Sequence, residues 1–121
     1  MKRTILLVSR DDELQMSRST LLQDAGYQAF LVDTVPGALL MAGAERPNIV
    51  LLCYTFNVNE QEAFIERVQE TDNSLFVLCL RNRDIQPAEW IEACERCFSN
   101  QPGMTRVRIL NDAPIEYISR S

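Results

Sequence analysis

The sequence predicts a single α/β domain built around a doubly wound parallel sheet. Four short apolar runs recur along the chain, and each is followed by a segment whose apolar residues have helical spacing. Strands that alternate with helices form parallel sheets covered by helices on both faces. The chain has 121 residues, 46% hydrophobic and 24% charged, which is enough for one core and too little for two. We therefore expect one domain over residues 1–121.

The apolar runs and the helix signals define the expected elements. Strands are predicted over residues 5–8, 27–32, 49–53 and 75–80. Helices are predicted to begin near Asp12, Thr34, Asn59 and Pro87. Asp12 with Gln15, and Asn59 with Glu62, have the spacing of N-terminal capping pairs. The expected buried stripe of the first helix is Leu14, Leu21, Leu22 and Ala25.

The pattern weakens toward the C-terminus. Val107 and Ile109 alternate with charged residues as in a strand, and Pro114 lies where a long final helix would have to continue. We expect residues 101–121 to be irregular or to form a shortened final element.

Charge and composition exclude several function classes. Seventeen acidic residues against 12 basic ones give a net charge of -5, the wrong sign for a domain that neutralises phosphates, so we expect no nucleic-acid binding. The sequence has no histidine, which excludes imidazole bases and histidine-ligated metals. No apolar run approaches the roughly 20 residues of a membrane helix, and no signal peptide is apparent. We expect a cytoplasmic protein that is not an enzyme and has no cofactor or metal, with its four cysteines as free buried thiols.

Three segments carry a family resemblance: residues 5–8 (ILLV), 21–27 (LLQDAGY) and 47–52 (PNIVLL). They resemble the receiver domain of two-component response regulators, over about residues 3–80. The resemblance implies a flavodoxin-like fold with strand order 2-1-3-4-5. In that family two acidic residues after the first strand hold magnesium, and an aspartate ending the third strand accepts a phosphoryl group. A Thr or Ser ends the fourth strand, and a Lys before Pro follows the fifth.

The sequence departs from the family pattern at every one of these positions. The metal positions fall on Ser9 and Arg10, the acceptor on Cys53, the hydroxyl on Cys79 and the lysine on Gln101. The resemblance therefore implies a degenerate phosphorylation pocket. It also implies a pseudo-receiver that signals through contacts with a sensor kinase or another signalling protein, without phosphorylation.

Two other functions remain open from the sequence. Cys53 and Cys79 end neighbouring strands of the implied sheet, so a thiol redox sensor is one alternative. A small-ligand-binding module that uses the crevice at the carboxyl ends of the strands is the other.

Arg10 and several apolar residues each have two interpretations. The Arg10 guanidinium either replaces the pocket cation or lies exposed in a loop with no partner in the pocket. Tyr54 and Phe56 either form a partner surface or pack over the pocket. Trp90, Val107 and Ile109 form a further candidate surface, which favours a homodimer.

Overall fold

The computed structural model describes residues 3–71, 75–81, 85–99 and 106–110, and strands alternate with helices throughout them. The strands are β1 (Thr4–Val8), β2 (Gln28–Val32), β3 (Ile49–Leu52), β4 (Phe76–Leu80) and β5 (Val107–Leu110). The helices are α1 (Asp12–Asp24), α2 (Val35–Glu45), α3 (Val58–Thr71) and α4 (Pro87–Phe98). None of these helices is long and apolar enough to cross a membrane. The predicted α/β alternation is confirmed.

All five strands are parallel and lie in the order β2-β1-β3-β4-β5, which confirms the expected topology. The three inner strands are almost wholly buried, which explains why their sequences are continuous apolar runs. The two edge strands are partly exposed. Each of them also contains one polar residue, Gln28 in β2 and Arg108 in β5.

Helices cover both faces of the sheet. The α1 face is the side covered by α1 and α4, and the α3 face is the side covered by α2 and α3. The core of the α1 face includes Ile5, Leu7, Leu22, Ile49, Leu51, Cys53, Leu78, Leu80, Trp90 and Cys94. The core of the α3 face includes Leu6, Val8, Val50, Leu52, Phe56, Phe64, Val68, Val77 and Cys79. Alternate residues of each strand therefore enter opposite cores.

The position of α4 gives the last crossover an unusual hand. The connections through α3 and through α4 both move one strand in the same direction across the sheet. Because α3 and α4 lie on opposite faces, the two connections have opposite hands. About 98% of such crossovers in proteins share the right-handed form. As a result α4 lies beside α1, and Ile109 of β5 stays 50% exposed on the α3 face.

Two helix starts differ from the sequence expectation. The N-cap of α1 is Asp11 and not Asp12, because the Leu14 backbone N–H donates to Asp11 Oδ1 at 3.1 Å. At α3 the reciprocal capping pair is Asn57 with Glu60, two residues earlier than expected. Each true pair has the same three-residue spacing as the expected one, so spacing alone does not separate them.

The buried face of α1 is also different. Its buried residues are Gln15, Arg18, Ser19 and Leu22, while Leu14 and Leu21 are half-buried and Ala25 is exposed. Gln15 is buried because its Nε2 donates to the carbonyls of Leu7 at 3.3 Å and Val32 at 2.9 Å. The expected apolar stripe is therefore wrong, and α1 packs on the sheet with a largely polar face whose groups are hydrogen-bonded.

Candidate functional site

The candidate site lies at the carboxyl ends of β1, β3 and β4, where the family's phosphorylation pocket is expected. Ser9 follows β1 and is fully buried, and Cys53 follows β3 with its N–H donating to the Val8 carbonyl at 3.0 Å. The Ser9 hydroxyl accepts the Asp11 N–H at 3.2 Å and hydrogen-bonds to the Cys53 thiol. The structure thus brings the first metal position and the acceptor position into direct contact.

Arg18 supplies the positive charge of this site, and the sequence reasoning missed it. The side chain comes from α1, is only 4% exposed, and donates from Nη1 to Cys53 Sγ at 2.8 Å. Its guanidinium also lies over the Trp90 ring, with its carbon 5.8 Å from the ring centroid. The available signal was spacing. Arg18 lies four residues before Leu22, so the two side chains share one face of α1.

The acceptor position carries no negative charge. Burial raises the pKa of the Cys53 thiol from its ordinary value of 9.0 to about 11, although Arg18 and the Ser9 hydroxyl act in the opposite direction. The thiol is therefore protonated at neutral pH. A neutral thiol beside a guanidinium is the reverse of an acidic, metal-recruiting pocket.

Arg10 points away from the pocket, so the interpretation that it replaces the pocket cation is wrong, and the interpretation that it is an exposed loop arginine with no partner in the pocket is confirmed. Its guanidinium binds the Glu60 carboxylate in a bidentate pair, with Nη1 3.1 Å from Oε1, and the side chain is 49% exposed. The guanidinium carbon also lies 4.4 Å from the Phe56 ring centroid. The pairing lowers the pKa of Glu60. Arg10 therefore links the loop after β1 to the start of α3. Its guanidinium contacts Phe56 and Glu60 and not the pocket.

Gln61 is a second buried polar residue that the sequence reasoning missed. Its Nε2 donates to the Cys53 carbonyl at 3.1 Å and lies 3.4 Å from the Leu80 carbonyl, so one amide joins the ends of β3 and β4. Its Oε1 is buried without a hydrogen-bond partner in the described part of the chain. Gln61 precedes Phe64 and Val68 by three and seven residues, so its place on the buried stripe of α3 was the signal.

Cys53 and Cys79 lie on opposite faces of the sheet, which makes the dithiol hypothesis wrong. Cys53 belongs to the core of the α1 face and Cys79 to the core of the α3 face. In the register of the sheet Cys79 pairs with Leu52. One residue further along both strands, Leu80 of β4 lies level with Cys53, and both belong to the α1-face core. Leu80, and not Cys79, is therefore the β4 side chain beside Cys53 on the α1 face. Two side chains separated by the sheet cannot adopt disulfide geometry.

The remaining thiols do not complete a site. Cys94 and Cys97 lie on α4, and burial raises the pKa of Cys94 to about 12. Cys97 lines a cavity with Pro47 and Asn48, which precede β3, so it lies at the opposite end of the sheet from Cys53. Within the described ranges, no three cysteine or acidic side chains cluster closely enough to hold a metal ion.

Two of the five expected partner-surface residues are buried. Phe56 is 2% exposed in the α3-face core, and Trp90 is fully buried because α4 turns it toward α1. Tyr54 and Val107 are half-buried, and Ile109 is exposed.

Gln101 lies outside the described residues. Its assignment to the lysine position therefore stays a prediction.

No family model matches the sequence. The adventurous-gliding motility protein Z of Myxococcus xanthus (strain DK1622) is 30% identical over 90 residues, which cover 74% of this chain. The chain spans only 5% of the length of that relative.

Solved receiver domains have the same architecture. The chemotaxis response regulator CheY4 of Vibrio cholerae matches with a TM-score of 0.71 and 17% identity, over 80% of this chain and 99% of that chain. A CheY-like receiver domain protein from Methanospirillum hungatei JF-1 matches with a TM-score of 0.74 and 15% identity, over 82% and 96% of the two chains. The signal receiver domain of a Luxo repressor protein from Vibrio parahaemolyticus gives 0.72 and 13%, over 100% and 99%. These likenesses show that the chain has the flavodoxin-like fold of response-regulator receiver domains.

Proposed function

We propose that the chain is a receiver-like signalling domain that works without phosphoryl transfer and acts through contacts with other proteins. The observation that carries the proposal is the acceptor position, where a neutral Cys53 thiol lies under the guanidinium of Arg18. An aspartyl phosphate forms on a carboxylate activated by a bound cation, whereas this chain has Cys53 at the acceptor position and Ser9 and Arg10 at the two metal positions. The proposal assigns no catalytic reaction and no cofactor to the domain.

The surroundings of Cys53 support a site that is locked rather than merely inactive. Ser9 and Gln61 hold the loops after β1 and β3 through hydrogen bonds, and Arg10 fastens the first loop to α3. Protein switches commonly act by ordering or releasing a loop segment. Here side-chain hydrogen bonds already hold both loops, so we infer that the domain holds one conformation for its partner.

The comparisons support a bacterial signalling context. The folds most alike include a chemotaxis response regulator, and the curated relative is a gliding-motility protein. We propose a role in a two-component type pathway, with a sensor kinase or another signalling protein as partner. A cytoplasmic location is part of this proposal, because the four thiols would remain reduced there.

Incubation with acetyl phosphate and Mg²⁺ is expected to leave the mass of the protein unchanged. The reason is that Cys53 has no carboxylate and that Ser9 and Arg10 replace both metal ligands. Intact-mass spectrometry detects a phosphoryl adduct of about 80 Da, and an active receiver treated in parallel verifies the donor. The variant Cys53→Asp should also remain unmodified, because the new carboxylate would meet Arg18 and would still lack a cation.

A hydroxylamine-labile phosphoryl group on any aspartate would contradict the proposal. Thermal unfolding gives a second measurement on the same site, since a ligand stabilises the fold only if it binds the native state. Millimolar Mg²⁺ should therefore shift the melting temperature no more than matched ionic strength does. A saturable Mg²⁺ effect that disappears in Asp11→Ala would show that the acidic residues after β1 form a metal site after all.

We further propose that the domain forms a homodimer through the edge of the sheet at β5. Ile109 is 50% exposed there and Val107 is half-buried beside it on the α3 face. An exposed apolar edge strand has unpaired backbone groups and pairs readily with another copy. Sedimentation at tens of micromolar should give a dimer, and Ile109→Lys should give a monomer of unchanged stability. A monomeric unsubstituted chain would refute this interface.

A further inference from the structure

A cavity of about 260 Å³ lies between α1 and the start of α4, outside the pocket that the fold family uses. Ser17 and Arg18 line it from α1, and Gln86, Pro87 and Trp90 line it from the other side. The cavity exists because α4 packs beside α1 on the same face of the sheet. Its volume is slightly below the range of drug-sized ligand pockets, so it suits a small ligand.

The wall of this cavity contains a buried positive charge that forms no ion pair with any residue the structure describes. Arg18 is 4% exposed, and in the described part of the chain the ion pairs are Arg10 with Glu60 and Arg96 with Glu92. Cys53, which accepts one N–H of the guanidinium, remains a neutral thiol at neutral pH because burial raises its pKa to about 11. A buried cation with only neutral partners loses hydration without recovering it through a counter-ion.

The start of α4 adds to the positive potential of the cavity. Gln86 and Pro87, the N-cap and the first residue of this 12-residue helix, both line it. The N-terminal end of a helix carries a partial positive charge that favours anions. The helix end and the guanidinium therefore act on the same small volume from two elements.

We propose that this cavity binds a small oxyanion, a phosphate or a carboxylate, with the guanidinium of Arg18 as its principal ligand. A guanidinium can bind either group through two parallel N–H donors, and an oxyanion provides the counter-ion that Arg18 lacks. Binding is reversible and forms no covalent bond. The inference does not depend on the proposed signalling function, since a protein that is never phosphorylated can still bind phosphate.

Fluorescence provides a direct test, because Trp90 is the sole tryptophan of the chain and lines the cavity. Titration with inorganic phosphate, against sodium chloride at equal ionic strength, should give a saturable change in Trp90 emission. A parallel titration with acetate tests a carboxylate in the same way. The anion that saturates at the lower concentration, phosphate or acetate, identifies the preferred class of ligand. Either saturation supports the site.

Two variants make the test specific. Arg18→Met keeps a long unbranched side chain, so the protein should still fold, and its phosphate or acetate response should weaken at least tenfold. Arg10→Met is the matched control, since Arg10 is exposed and lies outside the cavity lining, and its response should equal that of the unsubstituted chain. The proposal is overturned if chloride reproduces the change, if no saturation occurs with either anion, or if Arg18→Met retains the full response.

Discussion

Replacing Trp90 by alanine is expected to lower the free energy of unfolding by about 3 to 5 kcal/mol. Trp90 is the largest fully buried side chain and joins α4 to the α1-face core with Leu22 and Cys94. Truncation removes its buried apolar area and leaves a cavity between α4 and the α1-face core. Urea denaturation followed by circular dichroism measures the change, since the variant has no tryptophan signal.

Leu40→Ala is the matched control for this prediction. Leu40 lies on α2 and is 76% exposed, so its truncation should change the stability by no more than about 0.5 kcal/mol. Trp90→Phe, which keeps an aromatic ring in the core, should lose less than Trp90→Ala and guards against a variant that fails to fold. A loss for Trp90→Ala as small as that for Leu40→Ala would show that Trp90 is a surface residue, as the partner-surface hypothesis requires.

The fold was predictable because its signal is long and redundant. Runs such as residues 49–52 and 76–80 are apolar at every position, and only strands buried on both faces need that composition. The predicted bounds of these strands differ from the observed ones by a single residue. Alternation with helices then leaves few topologies, of which the observed order is the common one.

The location of α4 was beyond the reach of the sequence. The helix has one apolar stripe, formed by Trp90, Ala93, Cys94 and Cys97, and both faces of the sheet are apolar. Hydrophobic periodicity shows that a helix is buried on one side but does not show which face of the sheet it covers. Because α4 covers the α1 face, Trp90 is a core residue beside Arg18 and not the surface residue that the sequence suggested.

The candidate site was predictable only where a position follows directly from a strand. Ser9 and Cys53 come immediately after buried strands, and the structure places them in contact. Arg18 and Gln61 come from helices, so their place depends on helix rotation and on caps that shifted by one and two residues from expectation. Composition favours exposed positions for arginine and glutamine, and this preference fails when strand-end carbonyls or a thiol offer hydrogen bonds.

The free energy of unfolding is expected to fall steeply as the pH rises above 9. Burial raises the pKa of Cys53 and Cys79 from 9.0 to about 11, and that of Cys94 to about 12. A thiol whose pKa is higher in the folded state than in the unfolded chain favours folding only while both states are protonated. Its contribution is therefore complete below pH 9 and is lost as the pH approaches 11 to 12, because the unfolded chain releases the proton first. Each such thiol should lower the stability by about 1.4 kcal/mol per pH unit within that window.

Urea unfolding at a series of pH values between 7 and about 11 measures this slope. The comparison that isolates the thiols is Cys94→Ala, which removes the thiol with the highest pKa of the three and should reduce the slope by the contribution of one thiol. Tyr27, whose pKa is raised by burial and to a smaller extent by Cys94, adds to the slope in both proteins and somewhat less in the variant. Equal slopes for the two proteins would show that Cys94 ionises as freely in the fold as in the unfolded chain.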